Sequence, residues 1–304
     1  MSAVVVGLDS IAGSRLVLRT ALHVRPGLLV YCVAFQLLAL VSYAGPYWVA
    51  LRTSSGARIP PTQAVVWSLT GFAAFLPWGG FEFDKRLLSA TTDPQRAGHC
   101  IRLLSVLEYL ALSPVAWAAA LTLALRGDKG QSSLYLSWII GVPVGAVAAL
   151  WAVKRRDRIR RHGAAGRWIG SALESMMSVA RAALRPSAGV AVAGMGLYWA
   201  AEVASFAVAI KAFGVQISVP AAIVALATGY TPTRRTLPLA GSGIAAVLLC
   251  LAGTWVGIPL QQAIPGVIVY HLVCVGTATV IGAFAVHRLE WEEPEHDGRV
   301  QVAD

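Results

Sequence analysis

Leu76-Pro77-Trp78-Gly79-Gly80 breaks one apolar stretch, and Leu237-Pro238-Leu239-Ala240-Gly241 breaks another. Pro77 and Pro238 each remove a backbone donor and clash with the preceding turn. Gly79, Gly80 and Gly241 let the chain change direction without steric cost. Backbone amides and carbonyls freed at such breaks find no partner in lipid. They must be buried in protein or line a wet cavity. A half-helix N-terminus facing that cavity favours an anion such as a phosphate.

Working outward, each break is preceded at nearly the same distance by Arg-Pro, at Arg25-Pro26 and Arg185-Pro186. Arg-Pro and Leu-Pro occur nowhere else in the chain, and the two spacings differ by one residue. Order, spacing and hydropathy agree on an internal duplication. Repeat 1 covers about 25–125 and repeat 2 about 185–286, joined by a span and a basic linker over 134–185. Repeats that meet at Pro/Gly-interrupted apolar segments point to a transporter-like site.

The composition fits a bilayer. Apolar residues make up 57% of the 304 and charged residues 13%, against about a quarter charged in soluble domains. A spanning helix needs roughly 20 apolar residues. Gly27 to Leu51, Ile101 to Leu125, Leu134 to Val153, Ser187 to Ala212 and Ala263 to Val286 meet that requirement. Thr62 to Pro77 and Val219 to Leu260 are shorter or broken. The expected fold is therefore all-α: a polytopic helical membrane protein of seven or eight spans with re-entrant pieces. Residues 1–286 form one transmembrane domain and 287–304 an acidic disordered tail. Met1 to His23 places Ile11, Leu18 and Leu22 on one helical face and Arg15 and Arg19 on another, as in an interfacial or a partly inserted helix.

Lys154 to Arg185 carries nine Lys and Arg against Asp157 and Glu174, so the positive-inside rule puts it in the cytoplasm. Counting spans back from there places the N-terminus inside too, and makes the repeats parallel. The side of the tail depends on whether Thr236 to Leu260 crosses fully. Within the linker, polar residues at Arg167, Ser171, Glu174, Ser175, Ser178, Arg181 and Arg185 fall on one helical face by steps of three and four, which predicts a helix in the headgroup layer. The same positive charge does not imply nucleic acid, because no recognition motif accompanies it. Arg outnumbers Lys by 21 to 4, a bias that suits a GC-rich bacterial genome and hence a bacterial cytoplasmic membrane.

Cys32, Cys100, Cys250 and Cys274 are widely spaced in or beside apolar segments and read as packing residues. The histidines lack ligand spacing, so neither a metal nor a cofactor is expected. Charges in lipid are costly and face a partner or cavity. Glu202, deep in Ser187 to Ala212, and Glu108, beyond Arg102, are the leading candidates. Glu82, Asp84, Lys85 and Arg86 cluster just after the first break.

The most specific motif is Thr233-Arg234-Arg235-Thr236-Leu237-Pro238-Leu239-Ala240-Gly241-Ser242-Gly243, followed by Trp255-Val256-Gly257-Ile258-Pro259-Leu260 and Val269-Tyr270-His271. Over about Ala21 to Val286 the chain resembles the lysylphosphatidylglycerol synthase transmembrane-region family, the membrane half of aminoacyl-phospholipid synthase/flippase proteins. The resemblance implies a polytopic fold with re-entrant helices that handles or translocates envelope lipids. Ala240 replaces a glycine of the family pattern. Ala246 replaces an acidic residue and His271 an arginine, as if an ion pair had been lost from both sides.

The expected function is flippase-like transport of an anionic or polyprenyl-linked membrane lipid. Arg234, Arg235, Gly79, Gly80 and Gly241 would meet the headgroup, with Glu202 and Glu108 pairing with those cations or with the headgroup. No Ser/His/Asp grouping or nucleotide-binding loop is present, so an enzyme is not expected. A scaffold holding a partner enzyme is the rival reading, and an intramembrane enzyme a weaker one. Homo-oligomerisation is left open.

Overall fold

The structure is a computed structural model that describes residues 19, 22–55, 60–73, 85, 88–89, 94–127, 130–161, 163–182, 188–229 and 239–291. Among these, 90% are helical and none forms a strand. The helices are α1 (Pro26–Ser55), α2 (Pro61–Ala73), α3 (Pro94–Arg126), α4 (Ser132–Lys154), α5 (Arg156–Arg160), α6 (Gly163–Ala182), α7 (Ala188–Lys211), α8 (Val219–Gly229), α9 (Leu239–Trp255) and α10 (Leu260–Trp291). Five of them, α1, α3, α4, α7 and α10, are long and apolar enough to cross a membrane. These are the five long segments expected from hydropathy. The two broken segments became α2 and the α8–α9 pair, so the described residues contain five full-length apolar helices where seven or eight spans were expected. α10 continues through Trp291, into the stretch read as tail.

The most extensive helix contact is between α1 and α7. The Arg25 amide donates to the carbonyl of Ala212 at 3.0 Å. Further along, Cys32 meets Ser205, Gln36 meets Glu202, and Ser42 and Pro46 meet Gly194. Numbers rise on α1 as they fall on α7, so the two helices are antiparallel. This corrects the expected parallel arrangement of the repeats. A β-carbon on Gly194 would lie 2.6 Å from Pro46 Cδ and 2.8 Å from the Ser42 carbonyl. Glycine there permits the close backbone approach on which helix packing in lipid depends.

The other helices sort to the two ends of the bundle. Arg25, the C-terminal part of α7 and the N-terminal part of α10 share one end, as Gly266 packs on Ile210. The Gln131 amide donates to the Trp255 carbonyl at 2.8 Å, so the start of α4 and the end of α9 join them. Ala120 and Leu123 of α3 cluster there with Leu134 and Val224. The opposite end holds the C-terminal end of α1, the starts of α3 and α7, the end of α4, and the linker helices α5 and α6. An Arg160–Glu174 ion pair at 2.7 Å ties α5 to α6.

Arg25 and the basic linker therefore lie at opposite ends of the bundle, whereas the span count put them at the same end. The reason is α2. Thr62 to Pro77 counted as a crossing, but α2 and α3 both start at the linker end, so the chain makes no net crossing between them. From that end α2 reaches the level of Tyr43, where Phe72 packs edge-on with ring centroids 5.0 Å apart. The chain then enters α3 from the same end it left. α8 does the converse. It starts at the Arg25 end, and α9 returns alongside it to that end. Gly229 packs so closely on α9 that a β-carbon there would lie 2.4 Å from Leu249 Cα.

Candidate functional site

The polar centre of the bundle forms where α1 and α7 cross their midpoints. Glu202 is 1% exposed, as is Gln36, and Glu108 is 5% exposed. Buried polar groups in such surroundings are stable only when hydrogen-bonded. Gln36 Nε2 donates to Glu202 Oε2 at 3.0 Å, and Tyr270 OH donates to the same oxygen at 2.5 Å. Tyr43 OH donates to Glu108 Oε1 at 2.5 Å. Trp199 Nε1 donates to the Glu108 backbone carbonyl at 3.2 Å. One turn from Glu202, Ser205 Oγ donates to the Cys32 carbonyl at 3.1 Å, with the Cys32 thiol also 3.1 Å from that hydroxyl. Each carboxylate is thus held by a phenol from another helix.

The two pairs are related in an unexpected way. In one, α1 supplies the tyrosine and α3 the glutamate. In the other, α7 supplies the glutamate and α10 the tyrosine. Aromatic rings wall both pairs. Tyr198 stands edge-on to Tyr43 with centroids 5.2 Å apart and to Trp199 at 5.0 Å, while Phe206 packs on Tyr270 at 5.6 Å. His271 and Ala246, the two charge departures from the quoted pattern, are both buried, at 6% and 4% exposed.

Of the residues singled out in the sequence, the structure brings Glu202 and Glu108 into this centre. Gly241 lies in the first turn of α9. Arg234, Arg235, Gly79 and Gly80 lie outside the described residues, as do Glu82, Asp84 and Arg86. Gln36, Tyr43 and Tyr270 were not assigned a role from sequence. Gln36 carried a signal, since it is the one amide or charged side chain between Arg25 and Arg52. Tyr43 carried none, because tyrosine is ordinary in apolar helices, and Tyr270 only its place in the quoted Val269-Tyr270-His271.

Two apolar grooves flank α3. One, of about 380 Å³, lies between α3, α7 and α8. The other, of about 550 Å³, lies between α3 and α4 and reaches Met176 of α6. Leu110 and Pro114 line the second groove, and Ala111 and Val115 the first.

No protein-family profile matches the chain, and no curated protein is similar to it. The resemblance to the lysylphosphatidylglycerol synthase transmembrane region therefore rests on the motif residues quoted above.

Proposed function

We propose that this chain is a flippase-like transporter of an envelope lipid in a bacterial cytoplasmic membrane. The observation that carries the reading is a pair of short helices, α2 and α8, that start from opposite ends of the bundle, α2 packing on α1 and α10, which carry the phenols, and α8 on α3 and α7, which carry the carboxylates. Inverted repeats with discontinuous helices and a midplane site are the architecture of many secondary transporters. Under this reading α1 to α3 and α7 to α10 are inverted repeats, and α2 and α8 are the first halves of re-entrant hairpins. Helix packing supports it, because exchanging α1 with α7, α2 with α8 and α3 with α10 maps the α2–α10 contact onto the α8–α3 contact. The same exchange maps the Tyr43–Glu108 pair onto the Glu202–Tyr270 pair with the roles of the residues reversed.

Charged-type residues held in a membrane core mark substrate or ion pathways. Glu202 and Glu108 are the polar groups a lipid headgroup would meet, with Arg234 and Arg235 supplying its phosphate contacts. The two apolar grooves on either side of α3 fit the hydrocarbon tails, which need no polar route. The positive-inside rule assigns the linker end to the cytoplasm, and the Arg25 end then faces outward.

The test is transport in vesicles containing the purified chain and a phosphatidylglycerol carrying a quenchable headgroup label. Wild-type protein should expose the inner-leaflet label to an external quencher, and Glu202→Gln should slow this at least tenfold without loss of folded protein. Equal rates in protein-free vesicles, or an unaffected Glu202→Gln variant, would remove the transporter reading.

A further inference from the structure

The groove between α3, α7 and α8 has a length, a lining and a charged rim that together specify an occupant. Its α7 wall runs from Gly196 through Ala200 and Ala204 to Ala207, small residues that leave the groove open along its outer side. Eleven residues of helix extend about 17 Å. One leaflet of hydrocarbon is about 15 Å deep, half of a core of about 30 Å. The groove starts near the α7 midpoint and ends within a turn of Lys211, so it occupies the leaflet at the Arg25 end. Its size falls within the range of small-molecule sites.

The rim supplies the charge. Lys211 is four residues after Ala207 and shares its helical face. Arg126 is eleven residues after Val115, close to three full turns, and shares the face by which α3 lines the groove. Both are exposed and lie toward the Arg25 end, the end from which α8 starts at Val219. A lipid tail of one leaflet's depth would thus bring its headgroup toward the bundle end that carries these two cations.

We infer that this groove seats an acyl chain of an anionic phospholipid from the leaflet at the Arg25 end, with Lys211 and Arg126 holding the headgroup phosphate. The inference deepens the transport reading by naming a waiting site for the substrate, and rests on its lipid class. Neutral phospholipid lacks the net charge that the rim recognises. Glycerol phosphate has the charge and lacks the tail that the groove buries.

The experiment uses the full chain in neutral detergent with a phosphatidylglycerol bearing a photoreactive group on one acyl chain. Cross-links should map to 111–115 and 196–207. Excess phosphatidylglycerol should suppress them, whereas phosphatidylcholine and glycerol phosphate should not. Lys211→Gln with Arg126→Gln should weaken competition by phosphatidylglycerol roughly tenfold, given the usual attraction of anionic lipid to each basic residue. Ala204→Trp should remove the cross-links, while Leu197→Trp, an exposed position outside the groove, should keep them. Labels spread over the exposed face of α4, or equal competition by phosphatidylcholine, would overturn the inference on wild-type protein alone. Cross-links that persist in Glu202→Gln while transport stops support both readings. Groove labelling in a wild-type protein that moves no lipid would sink the transport reading and leave the groove.

Discussion

At the scale of single residues, the phenol–carboxylate pairs make the first prediction. Glu202 Oε2 has two described donors, Gln36 and Tyr270. Tyr270→Phe removes one donor with little change of shape and should destabilise the fold by about 1–3 kcal/mol, the usual cost of depriving a buried polar group. Gln36→Leu should cost a similar amount. A double variant that costs less than the sum would show both donors acting on one group. The measurement is thermal unfolding in a fixed detergent, and an unchanged midpoint for both single variants would mean the carboxylate is satisfied without them. A second prediction comes from sequence alone, because Arg234 and Arg235 lie outside the described residues. Arg235→Ala should abolish stabilisation by anionic lipid while leaving yield intact. Arg235→Lys should restore only part, since lysine keeps the charge and loses the planar fork. Full rescue by lysine would reduce the arginine to a helix-end anchor.

At the scale of elements, close approaches between helices are set by glycine. Gly229 packs against backbone atoms of Leu248 and Leu249, which cannot move aside as a flexible side chain would. Gly229→Ala should therefore push α8 away from α9 and cost about 1–3 kcal/mol, the range for overpacking a tight contact. Gly276→Ala in α10, where a β-carbon meets nothing within 4 Å, should leave the unfolding midpoint unchanged or higher. Equal midpoints for the two variants would mean α8 and α9 pack more loosely than the glycine contact implies. Much of this level was legible in the sequence. Five uninterrupted apolar runs became the five long helices, because length and hydropathy suffice to specify a spanning helix. The three-and-four spacing of polar residues from Arg167 became α6. Glu202 and Glu108 stood out because a carboxylate in an apolar run demands a partner. Their partners were not legible, since Gln36, Tyr43 and Tyr270 come from distant parts of the chain and no local pattern links them. The fine structure of the breaks was readable only as Pro and Gly chemistry.

At the scale of the whole molecule, direction was the property the sequence could not supply. Arg-Pro precedes Leu-Pro in both halves whichever way each half runs through the membrane. The relative direction depends on the parity of crossings between Arg25 and Arg185, and one short segment decides it. With Thr62 to Pro77 counted as a crossing, four spans intervene and the halves are parallel. With α2 and α3 both starting from the linker end, only α1, α3 and α4 intervene, and α7 runs against α1 as its contacts require. Under the proposed reading the charge bias of the linker orients the bundle, and Arg25 lies at the opposite end. This gives a prediction that separates the two arrangements. Cysteine placed at Arg160, exposed in α5, and at Gln216, exposed between α7 and α8, should respond oppositely to a membrane-impermeant thiol reagent. Arg160→Cys should be labelled only after the cells are permeabilised, and Gln216→Cys in intact cells. A cysteine at Gly27, on the first turn of α1 and exposed, should follow Gln216 rather than Arg160. The native cysteines give little background, since Cys32, Cys100 and Cys250 are buried and Cys274 is half-buried. Matching behaviour at 27 and 160 would restore the parallel arrangement and contradict the antiparallel packing of α1 on α7. Labelling of 160 alone in intact cells would keep that packing and invert the molecule in the membrane, placing the basic linker and the second groove on the outer face.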